Sequence, residues 1–341
     1  MKNKYSKILG LMWLLIAVLL TSGLIFGIKD GTMKQTKSII LGIVWILVAI
    51  LLFAVLIKGI KGQLINKNGS LISINTRNTR SENAQIYKTQ KISAEKIRNI
   101  KSDLLSEALI INSESDDNSN IILELRGSAW DEKNEPQILT SDESLSIQGK
   151  KDFRPFFSER YVIIRMPKSL MQKEDLVING KSLSGSVKAN GLSVNELNLT
   201  SKSGSVKVDE INCKKAELIS TSGSVHINGA ADELVCESIS GSIHSEGAFE
   251  KIKASSTSGS IHADCTKVLT GDSSFQSTSG SVKVALPSES KFKLNFSSTS
   301  GSVHNEFSSD TIGKKGTQTI GDDSVQITAS SVSGSIRIKK R

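Results

Sequence analysis

A chain of 341 residues with 43 Lys and Arg against 34 Asp and Glu has a formal charge of +9, and is long enough for one large domain or two ordinary ones around a buried core. The excess sits at one end: residues 1–67 hold nine lysines and one acid, Asp30, for +8, whereas the remaining 34 basic and 33 acidic residues leave only +1. Such a charge flanks a membrane segment and does not spread into a basic face, so nucleic acid is excluded as a partner.

Taken in chain order, the first features are two uncharged runs. Ile8 to Ile28 spans 21 residues and Ile39 to Ile57 spans 19, about 31 and 28 Å as helices against a hydrocarbon layer of ~30 Å. Both are expected to cross a bilayer, the first partner the sequence implies. A cleaved signal peptide fits less well, because the first run is longer than a signal core and no A-x-A-like site comes after it. No cysteine lies nearby to serve as a lipoprotein-type anchor. Two spans leave both termini on one side. Lys2, Lys4, Lys7, Lys58, Lys61 and Lys67 lie outside the hairpin against Lys29, Lys34 and Lys37 in its loop, which favours the cytoplasm for the large C-terminal region, with an extracytoplasmic placement as the alternative. The expected division is a transmembrane α-helical hairpin in 1–62, a polar linker over 63–94, an irregular β region over 95–177, and a regular repeat over 178–341 that the irregular region caps.

The repeat is Ser-Gly-Ser followed by Val or Ile. Its glycines are Gly185, Gly204, Gly223, Gly241, Gly259, Gly280, Gly301 and Gly334, at intervals of 19, 19, 18, 18, 21, 21 and 33 residues. A period near 20 with short β-prone segments predicts a mainly β, parallel β-solenoid, in which each coil buries its apolar side by stacking on the next. Aligned on the glycine, apolar residues fall at odd positions before it and at even positions after it, as in Leu197, Leu199, Val206 and Val208 around Gly204. That change of phase ends one strand and begins another, so Ser-Gly-Ser is a corner, where glycine offers positive φ and needs no side-chain space. Three residues before every corner glycine stands a serine: Ser182, Ser201, Ser220, Ser238, Ser256, Ser277, Ser298 and Ser331. These read as small inward groups bonding between coils. No G-x-S-x-G motif or partnered base makes any of them a nucleophile. The longer interval before Gly334 predicts a projecting loop or irregular coil within 307–323. Arg337, Lys339, Lys340 and Arg341 are expected to discourage strand addition at the end of the stack. Cys213, Cys236 and Cys265 show no CxxC or zinc-finger spacing and read as free, buried thiols, slightly favouring a reducing compartment.

Three positions after the glycine the column is Lys188, Lys207, His226, His244, His262, Lys283, His304 and Arg337, and the next outward column includes Asp209, Glu246, Asp264 and Glu306. A solvated face with charges pairing across coils accounts for the pattern. The sharper alternatives are a metal held by His226, His244 and His262 with Glu246 and Asp264, or a response to pH from crowded imidazoles. No cofactor is implied.

At these columns, together with Ile163-Ile164-Arg165-Met166-Pro167 and Val284-Ala285-Leu286-Pro287, residues 95–341 resemble the bacterial β-strand-repeat proteins grouped as a DUF-type "putative adhesin" family. The resemblance implies a right-handed solenoid and an association with the cell envelope, outside the membrane and so opposite to the lysine count. The function expected is a membrane-anchored, non-enzymatic adhesion, scaffold or interaction module that meets an envelope polymer or a protein. A polymerising, bactofilin-like scaffold is the alternative. A polysaccharide-cleaving β-helix fits less well, since outward acids are interleaved with bases and Trp130 is the only tryptophan outside the spans.

Overall fold

The computed structural model describes residues 81, 83–113, 119–150, 160–308, 313–322 and 324–341. The expected spans at 8–28 and 39–57 lie outside these residues. Among the described residues no helix is long and apolar enough to cross a membrane.

The described chain forms β1 (Ile86–Ser93), β2 (Asn99–Leu104), β3 (Ala108–Ser113), β4 (Asn120–Arg126), β5 (Gln137–Thr140), β6 (Ser144–Gln148), β7 (Tyr161–Met166), a helical turn α1 (Lys168–Met171), β8 (Val177–Ser182), β9 (Val187–Asn190), β10 (Ser193–Ser201), β11 (Val206–Ser220), β12 (Val225–Ser238), β13 (Ile243–Ser256), β14 (Ile261–Cys265), β15 (Ser273–Ser277), β16 (Val282–Leu286), β17 (Phe292–Ser298), β18 (Val303–Asn305), β19 (Lys315–Ile320), β20 (Gln326–Ser331) and β21 (Ile336–Lys340). β1 falls within the stretch expected to be linker. The region expected to be irregular contains two full coils, β2–β3 and β6–β7, ahead of the first Ser-Gly-Ser.

Each coil is a strand, a corner and a second strand, and equivalent strands pair in parallel. Before the corner the spatial order is β6, β2, β8, β10, then the later halves of β11, β12 and β13, then β15, β20 and β17. After the corner it is β7, β3, β9, the early halves of β11, β12 and β13, then β14, β16, β21 and β18. The coils therefore do not stack in chain order throughout. β20–β21 enters between β15–β16 and β17–β18, and β2–β3 enters between β6–β7 and β8–β9. The expectation for 307–323 is corrected accordingly: β19 folds antiparallel onto β17, and the chain then returns to fill the gap. Arg337, Lys339 and Lys340 thus lie one coil inside the stack and not at its end. At the other end β5 closes β6, β4 closes β7 and β1 closes β4, all antiparallel.

The core is the row of inward side chains between the two strand layers. Val187, Val206, Val225, Ile243, Ile261, Val282 and Ile336, two positions past their glycines, are at most 1 % exposed, and β-branching suits the pleated surface they form. Five positions before the glycine, Phe275 pairs with Ala329, which pairs in turn with Phe296. The small residue of the returning strand is thus interleaved between two large ones, as close packing requires.

Candidate functional site

The site is the solvent side of the stack, and the corner builds it. A Cβ on any of the eight repeat glycines would lie 2.0–2.4 Å from a carbonyl oxygen of the coil beneath: Glu107 for Gly185, then each glycine on the next, with Gly334 against Gly280 and Gly301 against Gly334. None of the eight has positive φ; the described positive-φ glycines are Gly127, Gly191, Gly229, Gly247 and Gly321. Close approach of stacked backbones, and not left-handed geometry, excludes a side chain at the corner. Each serine three residues earlier uses its hydroxyl in both directions. Its Oγ accepts the N–H of its own corner glycine at 2.8–3.0 Å and donates to the corner carbonyl of the adjacent coil at 2.8–3.1 Å. With one N–H and one C=O satisfied by each, the eight serines are structural. At the first coil the column begins on Glu107, whose carboxylate accepts the N–H groups of Leu105 and Ser106 and lies 3.2 Å from buried Arg160. Arg160 in turn stacks on Trp130, 4.9 Å to the ring centroid. Trp130 is therefore buried and is not a platform for a sugar.

In four coils a backbone change lies six residues past the corner glycine. Gly191, Gly229 and Gly247 lie there with positive φ, and Glu210 adopts φ 54° at the same place. Gly229 pairs with Gly247, whose Cβ would meet the Gly229 carbonyl oxygen at 1.8 Å. The spacing of these glycines was present in the sequence, and the columns drawn on the Ser-Gly-Ser motif alone passed over it.

The solvent side carries two surface features. The first is a groove of about 510 Å³ crossing six coils just before the corner, lined by Ile219, Glu237, Ser255, Gln276, Ser297 and Ser330 in one column and Thr221, Ile239, Thr257, Thr278, Thr299 and Val332 in the next. Its threonines and exposed Ile239 and Val332 make a track of small hydroxyl and apolar groups. Sequence reasoning missed it, because these outward columns carry no charge pattern.

The second is the basic ladder. Register places Lys188, Lys207, His226, His244, His262, Lys283, Arg337 and His304 on successive rungs. His304, which stands apart in the chain order of the repeats, is the last rung because of the inserted coil. His226 and His244 stack with centroids 5.0 Å apart and planes within 4°, while His244 and His262 meet edge-on at 4.8 Å. Burial, then the neighbouring His244, holds His226 below the ordinary imidazole range; burial, then Lys283 and His244, does the same to His262. Lys188 is likewise lowered, by burial and then Lys207. Asp209 pairs with Lys207 at 3.2 Å, Asp264 with Arg341 at 3.0 Å and Glu306 with Lys339 at 3.9 Å. Among the described residues no group of three His, Cys, Asp or Glu side chains is placed to hold a metal ion. His226, His244, His262, Glu246 and Asp264, the residues named for a metal, form no such group; their imidazoles meet as one stacked and one edge-on pair. Cys213, Cys236 and Cys265 are free and buried. Burial pushes the Cys213 and Cys265 thiols up to about 12, and Cys236 is also raised.

These features define a class: a mainly β stack of parallel coils, capped by antiparallel strands, that presents side-chain columns and no assembled catalytic centre among its described residues. The chain belongs to the Toastrack DUF4097 family, whose model matches residues 97–339. No curated protein matches it. Among solved structures it is similar to a "putative adhesin" from Bacteroides fragilis, at 15% identity and TM-score 0.47 over 74% of this chain and 97% of that one. It is also similar to a "putative lipid binding protein" from Parabacteroides distasonis, at 19% identity and TM-score 0.44 over 74% and 96%. A third, a "putative adhesin" from Parabacteroides merdae, has 16% identity and TM-score 0.37 over 75% and 97%.

Proposed function

We propose that the protein is a membrane-anchored, non-enzymatic interaction module of the bacterial cell envelope that holds an extended polymer along its coil stack. The observation that carries this reading is the parallel register that keeps the outward columns on both sides of the corner aligned across eight repeat coils, which gives a long partner a row of contacts at ~4.8 Å steps. The groove beside the corner runs along the same axis for six coils. The anchor is the pair of apolar runs at 8–28 and 39–57, and the balance of six lysines against three favours the cytoplasmic side for the coils. A polymerising scaffold is less compatible with this architecture: β4, β5 and β19 lie antiparallel on end coils, which interrupts parallel continuation into a second copy.

Two measurements test the reading. The full-length protein in detergent is expected to co-sediment with the polymer fraction of whole isolated cell envelopes, and to lose that binding when Thr257→Gln and Thr278→Gln crowd the groove; binding unaffected by these changes removes the groove from the proposal. Ser222→Cys adds an exposed thiol beside three buried native ones. A membrane-impermeant maleimide is expected to leave it unlabelled in intact cells, and labelling from outside would reverse the topology and make the module an adhesin of the outer surface.

A further inference from the structure

The basic ladder has a neighbour that gives it a specific chemistry. One position after each glycine stands a serine, and in four consecutive coils its Oγ accepts a backbone N–H from the next: Ser242 from Ser260, Ser260 from Ser281, Ser281 from Ser335 and Ser335 from Ser302, at 3.2–3.4 Å. A hydroxyl whose lone pair is engaged from within the sheet has its proton to give to an acceptor outside, as at Ser242, Ser260 and Ser281, while Ser335 Oγ also meets Ser302 Oγ at 3.2 Å. These hydroxyls flank the rungs His244, His262, Lys283 and Arg337. On the ladder's other side stand Asp209, Glu246, Asp264 and Glu306. An anion is thereby repelled from one side and met by donors on the other.

We propose that the serine and basic columns together form a docking track for a linear phosphate polymer, a chain carrying an anionic phosphate at each repeat. This rests on the polymer-holding reading above and names the polymer. Eight rungs at ~4.8 Å give a track of roughly 34 Å. Four of the eight rungs carry a fixed positive charge, Lys188, Lys207, Lys283 and Arg337; the lysines act as point charges toward phosphate and the Arg337 fork can hold a phosphate through two N–H groups. Neither column contains Phe, Tyr or Trp, so bases have no stacking surface and single-stranded nucleic acid is a poorer match.

His226 and His262 make the track respond to pH. His226 faces Lys207 and Asp209 of β11 and His244 and Glu246 of β13. His244 faces His226 of β12 and His262 and Asp264 of β14. His262 faces His244 and Glu246 of β13 and Lys283 of β16, with Arg341 on Asp264. His304 faces Arg337 and Lys339 of β21, with Glu306 on its own strand. Burial, ahead of the basic neighbours, disfavours a proton on His226 and His262 in the free protein; phosphates lying on the track favour it, so acid and polymer binding reinforce each other.

The test uses the full-length protein in detergent with long-chain inorganic polyphosphate as the probe. Binding is expected to weaken with salt, and to be about tenfold or more tighter at about pH 5 than at about pH 8. His226→Gln, His244→Gln and His262→Gln together should remove most of that pH dependence, with the largest loss of binding at about pH 5. Lys207→Gln, Lys283→Gln and Arg337→Gln together should weaken binding at both values. Thermal melts matching the wild type keep either result from being a folding defect; a variant that fails to fold is replaced by its single substitutions. The proposal is overturned by pH-independent binding, by both triple variants binding as the wild type does, or by tighter binding to a polyuronate or to oligothymidylate. Binding to the envelope polymer fraction without polyphosphate binding removes the track and leaves the envelope module standing; the reverse result removes the envelope module and leaves the track.

Discussion

The middle of the stack and its two ends solve the same problem differently. From Gly204 to Gly259 each coil pairs with the coils before and after it in sequence, so closing each turn costs only a short loop. At the C-terminal end the chain passes over a position, lays β19 antiparallel on β17 of the outer coil and returns as β20–β21 to fill the gap; at the other end it forms β2–β3, places β6–β7 outside it under antiparallel β4 and β5, and crosses back to β8–β9. A repeating stack otherwise ends in an unpaired edge, and an edge templates further pairing. Skipping and returning turns the most exposed coil into one flanked by antiparallel strands, at the cost of contacts distant in sequence.

The comparison breaks most sharply at the corners. Gly241→Val is expected to cost about 3 kcal/mol or more, since its Cβ would meet the Gly223 carbonyl oxygen at 2.1 Å. Gly313→Ala, whose nearest neighbour would be 4.0 Å away, should leave the chemical denaturation midpoint unchanged. The inserted coil is tested next by Ala329→Leu. Between Phe275 and Phe296 the larger side chain should cost about 1–3 kcal/mol in the same measurement, whereas coils stacked in chain order would put Ala329 at an end with room to spare. Ser256→Ala strands the Gly259 N–H and the Gly241 carbonyl and should cost about 1–3 kcal/mol; exposed Ser258→Ala should change stability by less than about 0.5 kcal/mol.

Acid should weaken the middle more than the ends. In the folded protein His226 and His262 titrate below the ordinary imidazole range, so the unfolded chain binds more protons as pH falls. Their contribution is fully present above about pH 6.5 and is lost as pH drops through the folded-state values. Hydrogen exchange measured along an acid series is expected to accelerate first in β12 to β14, and equal acceleration across all coils would separate the effect from the histidines.

Much of the fold was legible. The phase change across Ser-Gly-Ser marked a corner, the β-branched column marked its inward face, and the ladder of bases emerged in register, because a solenoid repeats its local constraints at a fixed period. The reason for the corner glycine was read only in part, since φ is ordinary there and the carbonyl below excludes the side chain. The order of the last coils was not read. Its trace was Phe275, Phe296 and Ala329, where chain order sets two large residues together and spatial order separates them. The groove was also missed, as hydroxyl-bearing columns carry no amphipathic signature.

By itself the sequence determined the coil: its length, its two faces, its corner and the file to which each side chain belongs. Those arise from alternation and from steric limits acting within some 20 residues. Only the tertiary structure decided which coil lies beside which at the ends, which side chains close the stack, and that His304 completes the ladder. Neighbouring coils offer nearly identical backbone partners, so local rules cannot choose among them, and the choice falls to side-chain volume and to the antiparallel strands that cover the edges.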